Sequence, residues 1–183
     1  MPSYQGQKTT DELGSQFDVE RLVAHPQLYG LWQFWDKMRG GRVMPARIDF
    51  TPELLKPWLG NLALIDVCQN PTRLQYRLVG TRIVDNSKFD ATGKFVDELI
   101  GNPLENPLGR GLVRCFLLKS PVFEIVRPPR TGVLTLDYYR LALPLSANGC
   151  DVNMIMLGEY VTSLPLMIDT SPRRLAPGHK AWL

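Results

Sequence analysis

The chain has 183 residues, 44% hydrophobic and 21% charged, which fits one domain of about 100–150 residues with tails and argues against a disordered or fibrous architecture. A net charge of +3 with scattered basic residues leaves no footprint for nucleic acid, and no apolar run approaches the ~20 residues that span a bilayer. Residues 1–20 lack the basic start and apolar run of a secretory signal, so a cytoplasmic location is expected.

In chain order, residues 1–20 are polar, carry Gly6 and Gly14, and read as a flexible leader before a domain spanning 21–168. Over 25–40 the residues Leu28, Leu31, Trp32, Trp35 and Met38 recur at three- and four-residue steps, with Pro26 suited to the first turn and Gly40-Gly41 at the end. This is an amphipathic helix whose heavy aromatic face must pack on the domain or on a second copy of the chain. Thr51-Pro52-Glu53 opens a short helix to about Trp58, with Thr51 as cap and Glu53 at the positive end of the dipole. A strand over 61–68, a turn at Asn70-Pro71-Thr72 and a strand over 74–80 follow, and strict alternation puts Leu74, Tyr76 and Leu78 on one face. Short helical pieces fill 81–106, Asn106-Pro107 starts a helix to about Ser120, and 122–126 is a strand.

Two strand-like runs then flank Asn148-Gly149, a pair suited to a tight hairpin. Tyr139, Leu141, Leu143 and Leu145 share one parity, while Tyr138, Ala142, Met154, Met156 and Tyr160 are assigned to the other, so both sheet faces need cover. The outer face is expected to meet the Trp32/Trp35 helix, a partner chain, or both. Pro172, Arg173, Arg174, His179 and Lys180 mark a basic tail over 169–183. The element order suits an α+β fold with a five-stranded antiparallel sheet and helices over one face.

Reactive chemistry is sparse. The only histidines, His25 at a helix start and His179 in the tail, are badly placed for a triad, and Cys68, Cys115 and Cys150 lack metal-ligand spacing. No catalytic residues and no metal ligands are expected. The candidates are those of a cavity: Tyr76, Phe89, Phe95, Phe116 and Tyr139 either converge on a ligand or fill a dry core. Arg47 and Asp49, two residues apart on a loop, either tie the N-terminal helix to the sheet or recognise a partner, as do Trp32 and Trp35 on the helix itself.

Five blocks in order carry a family resemblance: Leu31-Trp32, Met44 to Pro52, Gln75 to Asp85, Phe89 to Lys94 with its Asp90-Ala91-Thr92-Gly93, and the hairpin over 138–156. Together they resemble bacterial, mostly alphaproteobacterial, single-domain PAS-like proteins. The chain departs from that pattern at Ser87-Lys88-Phe89, where a glycine is usual, so this loop is expected to differ in shape. The resemblance implies a PAS-like sheet whose helical middle encloses a small cavity. It also implies a non-catalytic sensory or interaction domain that binds a small molecule or a signalling protein in bacterial signal transduction. A homodimer through the N-terminal helix and outer sheet face is the first partner expected. The cofactor is left open; neither haem nor flavin is indicated, since no axial histidine or photoreactive cysteine motif occurs. Two alternatives remain: a small enzyme using Asp85 or Asp137 with Tyr76 on an apolar substrate, and a ligand-free structural adaptor.

Overall fold

The computed structural model describes residues 19–128 and 136–162; expectations for residues 1–18, for the 169–183 tail and for His179 lie outside them. Val19 and Glu20, expected in the leader, already belong to helix α1 (Val19–Val23), because Leu22 is fully buried and holds that turn on the domain.

Helix α2 (Pro26–Arg39) forms where the periodicity places it. Pro26 occupies the first turn, and the neutral His25 ring caps it by accepting the Leu28 N–H at 3.3 Å on Nδ1. Gly40 ends it with a φ of 55°. Leu28, Leu31 and Trp35 are buried, each of the leucines contributing roughly 1.5–3 kcal/mol of apolar burial. The Pro-Ala-Arg-Ile-Asp block then forms a 3-10 turn, Arg47–Asp49, before α3 (Pro52–Leu55), which Thr51 caps, and a second 3-10 turn, Leu59–Asn61.

Strands β1 (Leu62–Cys68), β2 (Arg73–Val79), β3 (Val122–Val126), β4 (Tyr138–Leu145) and β5 (Met154–Val161) form one antiparallel sheet in the order β2-β1-β5-β4-β3. Helices α4 (Thr81–Ser87), α5 (Val96–Ile100) and α6 (Pro107–Leu118) lie between β2 and β3 in sequence. The outer face is covered by α2 of the same chain. The Trp35 indole donates to the Pro144 carbonyl at 3.0 Å, and His25 sits against the rings of Tyr139 and Tyr160 at 5.1 and 4.9 Å. Gly158 makes room for this: a Cβ there would fall 2.8 Å from both Leu28 Cδ2 and Leu31 Cδ2.

Register corrects three expectations. Leu64 pairs with Leu78 but Ile65 pairs with Tyr76, leaving Arg77 as the extra residue of a β-bulge. The bulge inverts parity, so Leu78 is exposed rather than sharing a face with Leu74 and Tyr76. Met154, Met156 and Tyr160 stand opposite Leu145, Leu143 and Tyr139, so they share the outer face with them instead of facing away. The β4–β5 connection is longer than a two-residue turn: only Gly149 has positive φ, and the Asn148 side chain instead accepts the N–H groups of Cys150 and Asp151 at 2.9 and 2.8 Å.

The seat of α4 depends on a close backbone approach. Gly80 donates to the Leu62 carbonyl at 2.8 Å, and a Cβ would lie 2.5–2.7 Å from the carbonyl oxygens of Gly60, Leu59 and Leu62. Gly80→Ala is therefore expected to lower stability by about 3 kcal/mol in urea denaturation, since backbone cannot yield cheaply.

The His25 cap sets a pH dependence. Its pKa is lowered, first by burial, with a backbone hydrogen bond working the other way. A depressed histidine contributes stability that is complete above its unfolded value near 6.5 and lost as pH falls through the folded value. Protonation also turns Nδ1 from acceptor to donor against the Leu28 N–H. Between pH 7 and 5 the wild type is expected to lose on the order of 1 kcal/mol that His25→Asn retains, because asparagine caps without titrating in this range; equal slopes for the two proteins would refute it.

Candidate functional site

The inner face of the sheet carries Ala63 of β1, Tyr76 and Val79 of β2, Tyr138 and Arg140 of β4, and Leu157, Glu159 and Val161 of β5. Over the β3–β4 half lies α6, seated by a close fit at Gly109 and Gly111: a Cβ at Gly109 would meet Pro103 at 2.6 Å, and one at Gly111 would meet the Glu124 carboxylate at 1.9 Å. The β1–β2 half is roofed differently. Tyr76 accepts the Gly93 N–H at 2.6 Å and donates its own N–H to Lys94 at 2.9 Å, so the segment around Gly93 adds to the edge of β2 and carries Phe89 and Ala91 over the rim. Ile83, Asn86 and Ser87 of α4, Leu99 and Ile100 of α5, and Leu108 of α6 complete the lining.

These walls line a cavity of about 580 Å³ that opens at the rim, floored by the sheet and lined mainly by aliphatic side chains. Tyr76 and Phe89 line it. The other three aromatic candidates do not, which corrects the expectation that all five converge. Phe95 holds the Arg73 guanidinium 3.7 Å from its ring centroid, beside the Arg73–Asp97 ion pair at 2.9 Å. Phe116 lies with Val67 and Val152 at a separate surface hollow. Tyr139, by the alternation of β4, points to the outer face against His25 and Phe123.

The expected contact residues are likewise placed. Trp35 is buried against its own sheet, so it is removed from any partner surface, while Trp32 is half-buried and stacks on Tyr29 at 5.6 Å. Asp49 accepts the Ala46 N–H at 2.8 Å and the Arg42 guanidinium at 2.7 Å. Those bonds hold its carboxyl below the usual carboxylate range, the Ala46 bond first and Arg42 after it. Arg42 also reaches the Met38 carbonyl at 2.6 Å, Arg47 donates to the Phe50 carbonyl, and Ser146 donates to Pro45 at 2.9 Å. This block therefore joins the end of α2 to the end of β4.

Arg140 escaped the sequence reading. It is 2% exposed and donates to Glu159 Oε1 from Nε at 2.9 Å and from Nη2 at 2.8 Å, to the Tyr138 hydroxyl at 2.8 Å, and to the Leu108 carbonyl of α6; Glu124 lies 3.8 Å from Nη1. Burial by itself lowers the pKa of Arg140, but the groups around it, the charge of Glu159 foremost, outweigh that and the group stays protonated. Burial also pushes up Tyr138, Tyr76 and Glu124, with Arg140 opposing in each case. The available signal was an arginine inside an apolar run, with glutamates at Glu124 and Glu159 in the neighbouring strands.

Among the described residues, no group of three or more His, Cys, Asp or Glu side chains could hold a metal ion. Removing one member of the buried pair leaves an uncompensated charge. Arg140→Met is expected to cost about 3–5 kcal/mol in urea denaturation, and adding Glu159→Gln should recover most of that loss. No recovery would show that Glu159 is not the group Arg140 neutralises.

No curated protein matches the chain. Among solved structures, the chain is similar to a sensory box sensor histidine kinase from Vibrio cholerae, with 18% identity, a TM-score of 0.43, and coverage of 61% of this chain and 88% of that one. The PAS domain model matches residues 23–155, from just before α2 to the start of β5, and on this match the chain belongs to the PAS domain family.

Proposed function

We propose that this PAS domain is a non-catalytic sensory module whose signal is a small, largely apolar molecule held between the inner sheet face and α4–α6. The observation that carries the reading is the cavity of about 580 Å³, lined mainly by apolar side chains with the polar groups of Tyr76, Tyr138, Arg140 and Glu159 on its floor, the usual build of a small-molecule site. The enzyme alternative finds little support: Asp85 is exposed on α4, and Asp137 faces Arg127 at 3.5 Å, neither of them lining the cavity. Within the same proposal, output passes to a second copy or a signalling protein in the cytoplasm through the half-buried Tyr29–Trp32 stack on α2, since Trp35 is spent inside the domain. No described helix is long and apolar enough to cross a membrane.

Nile red, an uncharged apolar fluorophore, tests the cavity. The wild-type protein is expected to bind it one to one with a gain in fluorescence. Ala63→Phe, which fills the floor, should reduce binding at least tenfold, as should Leu99→Trp at the more exposed wall. Loss in either folded variant supports the reading. Absence of binding to the wild type, or unchanged binding in both variants, overturns it.

A further inference from the structure

We propose that the ligand of this cavity is an uncharged molecule with an apolar body and a hydrogen-bond acceptor, such as a hydroxyl, ether or carbonyl oxygen, that takes the protons of Tyr76 and Tyr138. The inference rests on the sensory reading above and narrows it to one chemical class.

Charge bookkeeping at the floor carries the argument. Among the described residues, Arg140 and Glu159 are the charged ones that line the cavity. A guanidinium has five N–H donors, and four of those of Arg140 have partners within hydrogen-bond distance, the fifth being turned toward Glu124 at 3.8 Å. Nε and Nη2 serve Glu159, Nη2 also serves the Tyr138 oxygen, and Nη1 serves the Leu108 carbonyl on its approach to Glu124. An anionic head group would meet a cation with four of its five donors taken, the fifth directed at the Glu124 carboxylate, and with its charge offset by Glu159. It would also bring a second negative charge toward Glu159 in a medium of low dielectric. A cationic head group would have to draw Glu159 from a 2.8 Å contact and leave Arg140 buried without its counter-ion.

What the floor does offer is neutral. The Tyr138 oxygen receives a donor from Arg140, and its own proton goes to no described residue. The Tyr76 hydroxyl likewise donates to no described residue, although its ring is inside the cavity wall. Burial raises both phenols, so both keep their protons at neutral pH. The remaining polar lining groups, Asn86 and Ser87, carry no charge, and Ala63, Ile83, Leu108 and Leu157 receive the apolar body. A buried site of this kind discriminates mainly through groups that a wrong ligand would leave unpaired.

The experiment uses the full chain with bound Nile red and three displacers of one chain length: 1-decanol, decanoate and decylammonium. At pH 7.5 the alcohol is expected to displace the dye at concentrations at least tenfold below those needed by either ion. Tyr76→Phe should raise the concentration of decanol needed about tenfold, the equivalent of one lost hydrogen bond of ~1.4 kcal/mol, without lowering the melting temperature. Displacement by decanoate or decylammonium as good as that by decanol overturns the proposed class while the cavity reading stands. So does a dye-loaded protein that none of the three displaces, and an unchanged decanol requirement in Tyr76→Phe overturns the assignment of the tyrosine anchor. Failure of the wild type to bind Nile red at all overturns both readings.

Discussion

Arg140 carries a permanent charge at a position where 2% of its surface meets solvent, and the neighbouring elements are arranged to make that tolerable. Its partners come from every direction: Glu159 across the strand pair on one side, Glu124 on the other, Tyr138 two residues back, and the Leu108 carbonyl from the helix above. Such an arrangement does little for net stability against an apolar replacement, but it discriminates strongly among registers. A slip of β4 by one residue would turn the guanidinium to the outer face, against the buried leucines of α2 and away from Glu124 and Glu159. The same group fixes the height of α6 through the Leu108 carbonyl, and so sets one wall of the cavity.

The cavity follows from an uneven roof. Where α6 crosses β3 and β4, Gly109 and Gly111 permit near-contact, and Leu112 and Cys115 fill the space beneath. Burial in that apolar layer pushes the Cys115 thiol far up, so it packs there as a small apolar side chain. Toward β1 and β2 the roof consists of two short helices and an edge-pairing loop, while the floor beneath them includes small residues such as Ala63 and Val79. A long helix packed there would close the space. The two short ones stand at the rim because Gly80 pins the start of α4 against the backbone of residues 59–62, while the Arg73–Asp97 pair pins α5 to β2.

Much of the fold was legible because its signals are local. The 3.6-residue spacing of Leu28, Leu31 and Trp35, the caps at Thr51 and Asn106, and the Pro residues at first turns each report on a few neighbouring residues, and the structure realises them. The errors arise where a long-range partner decides. Nothing near Arg77 announces a bulge, so simple alternation puts Leu78 on the wrong face, and without the register to β5 nothing local separates Tyr139 from the residues of the cavity. Of the site, the aromatic content pointed to Tyr76 and Phe89. The polar part of the floor did not stand out, since an arginine in a strand reads as solvated until its neighbours supply two glutamates from distant parts of the chain.

Because side chains alternate along a strand, the cavity and the seat of α2 are separated by a single peptide layer. In β4, Tyr138 and Arg140 face inward while Tyr139 and Leu141 face outward, toward α2; in β5, Leu157 and Glu159 face inward while Gly158 and Tyr160 face outward. His25, at the start of α2, touches both outward tyrosines, and Leu28 and Leu31 rest where Gly158 has no side chain. Under the sensory reading, a ligand that draws on Tyr138 acts on the strand that carries the Tyr139 face of the α2 seat. The outer helix is then the element whose position depends most directly on what the inner face holds. The contacts of the His25 ring with Tyr139 and Tyr160, the seat of Leu28 and Leu31 at Gly158, and the Trp35–Pro144 bond are contacts that can carry that dependence.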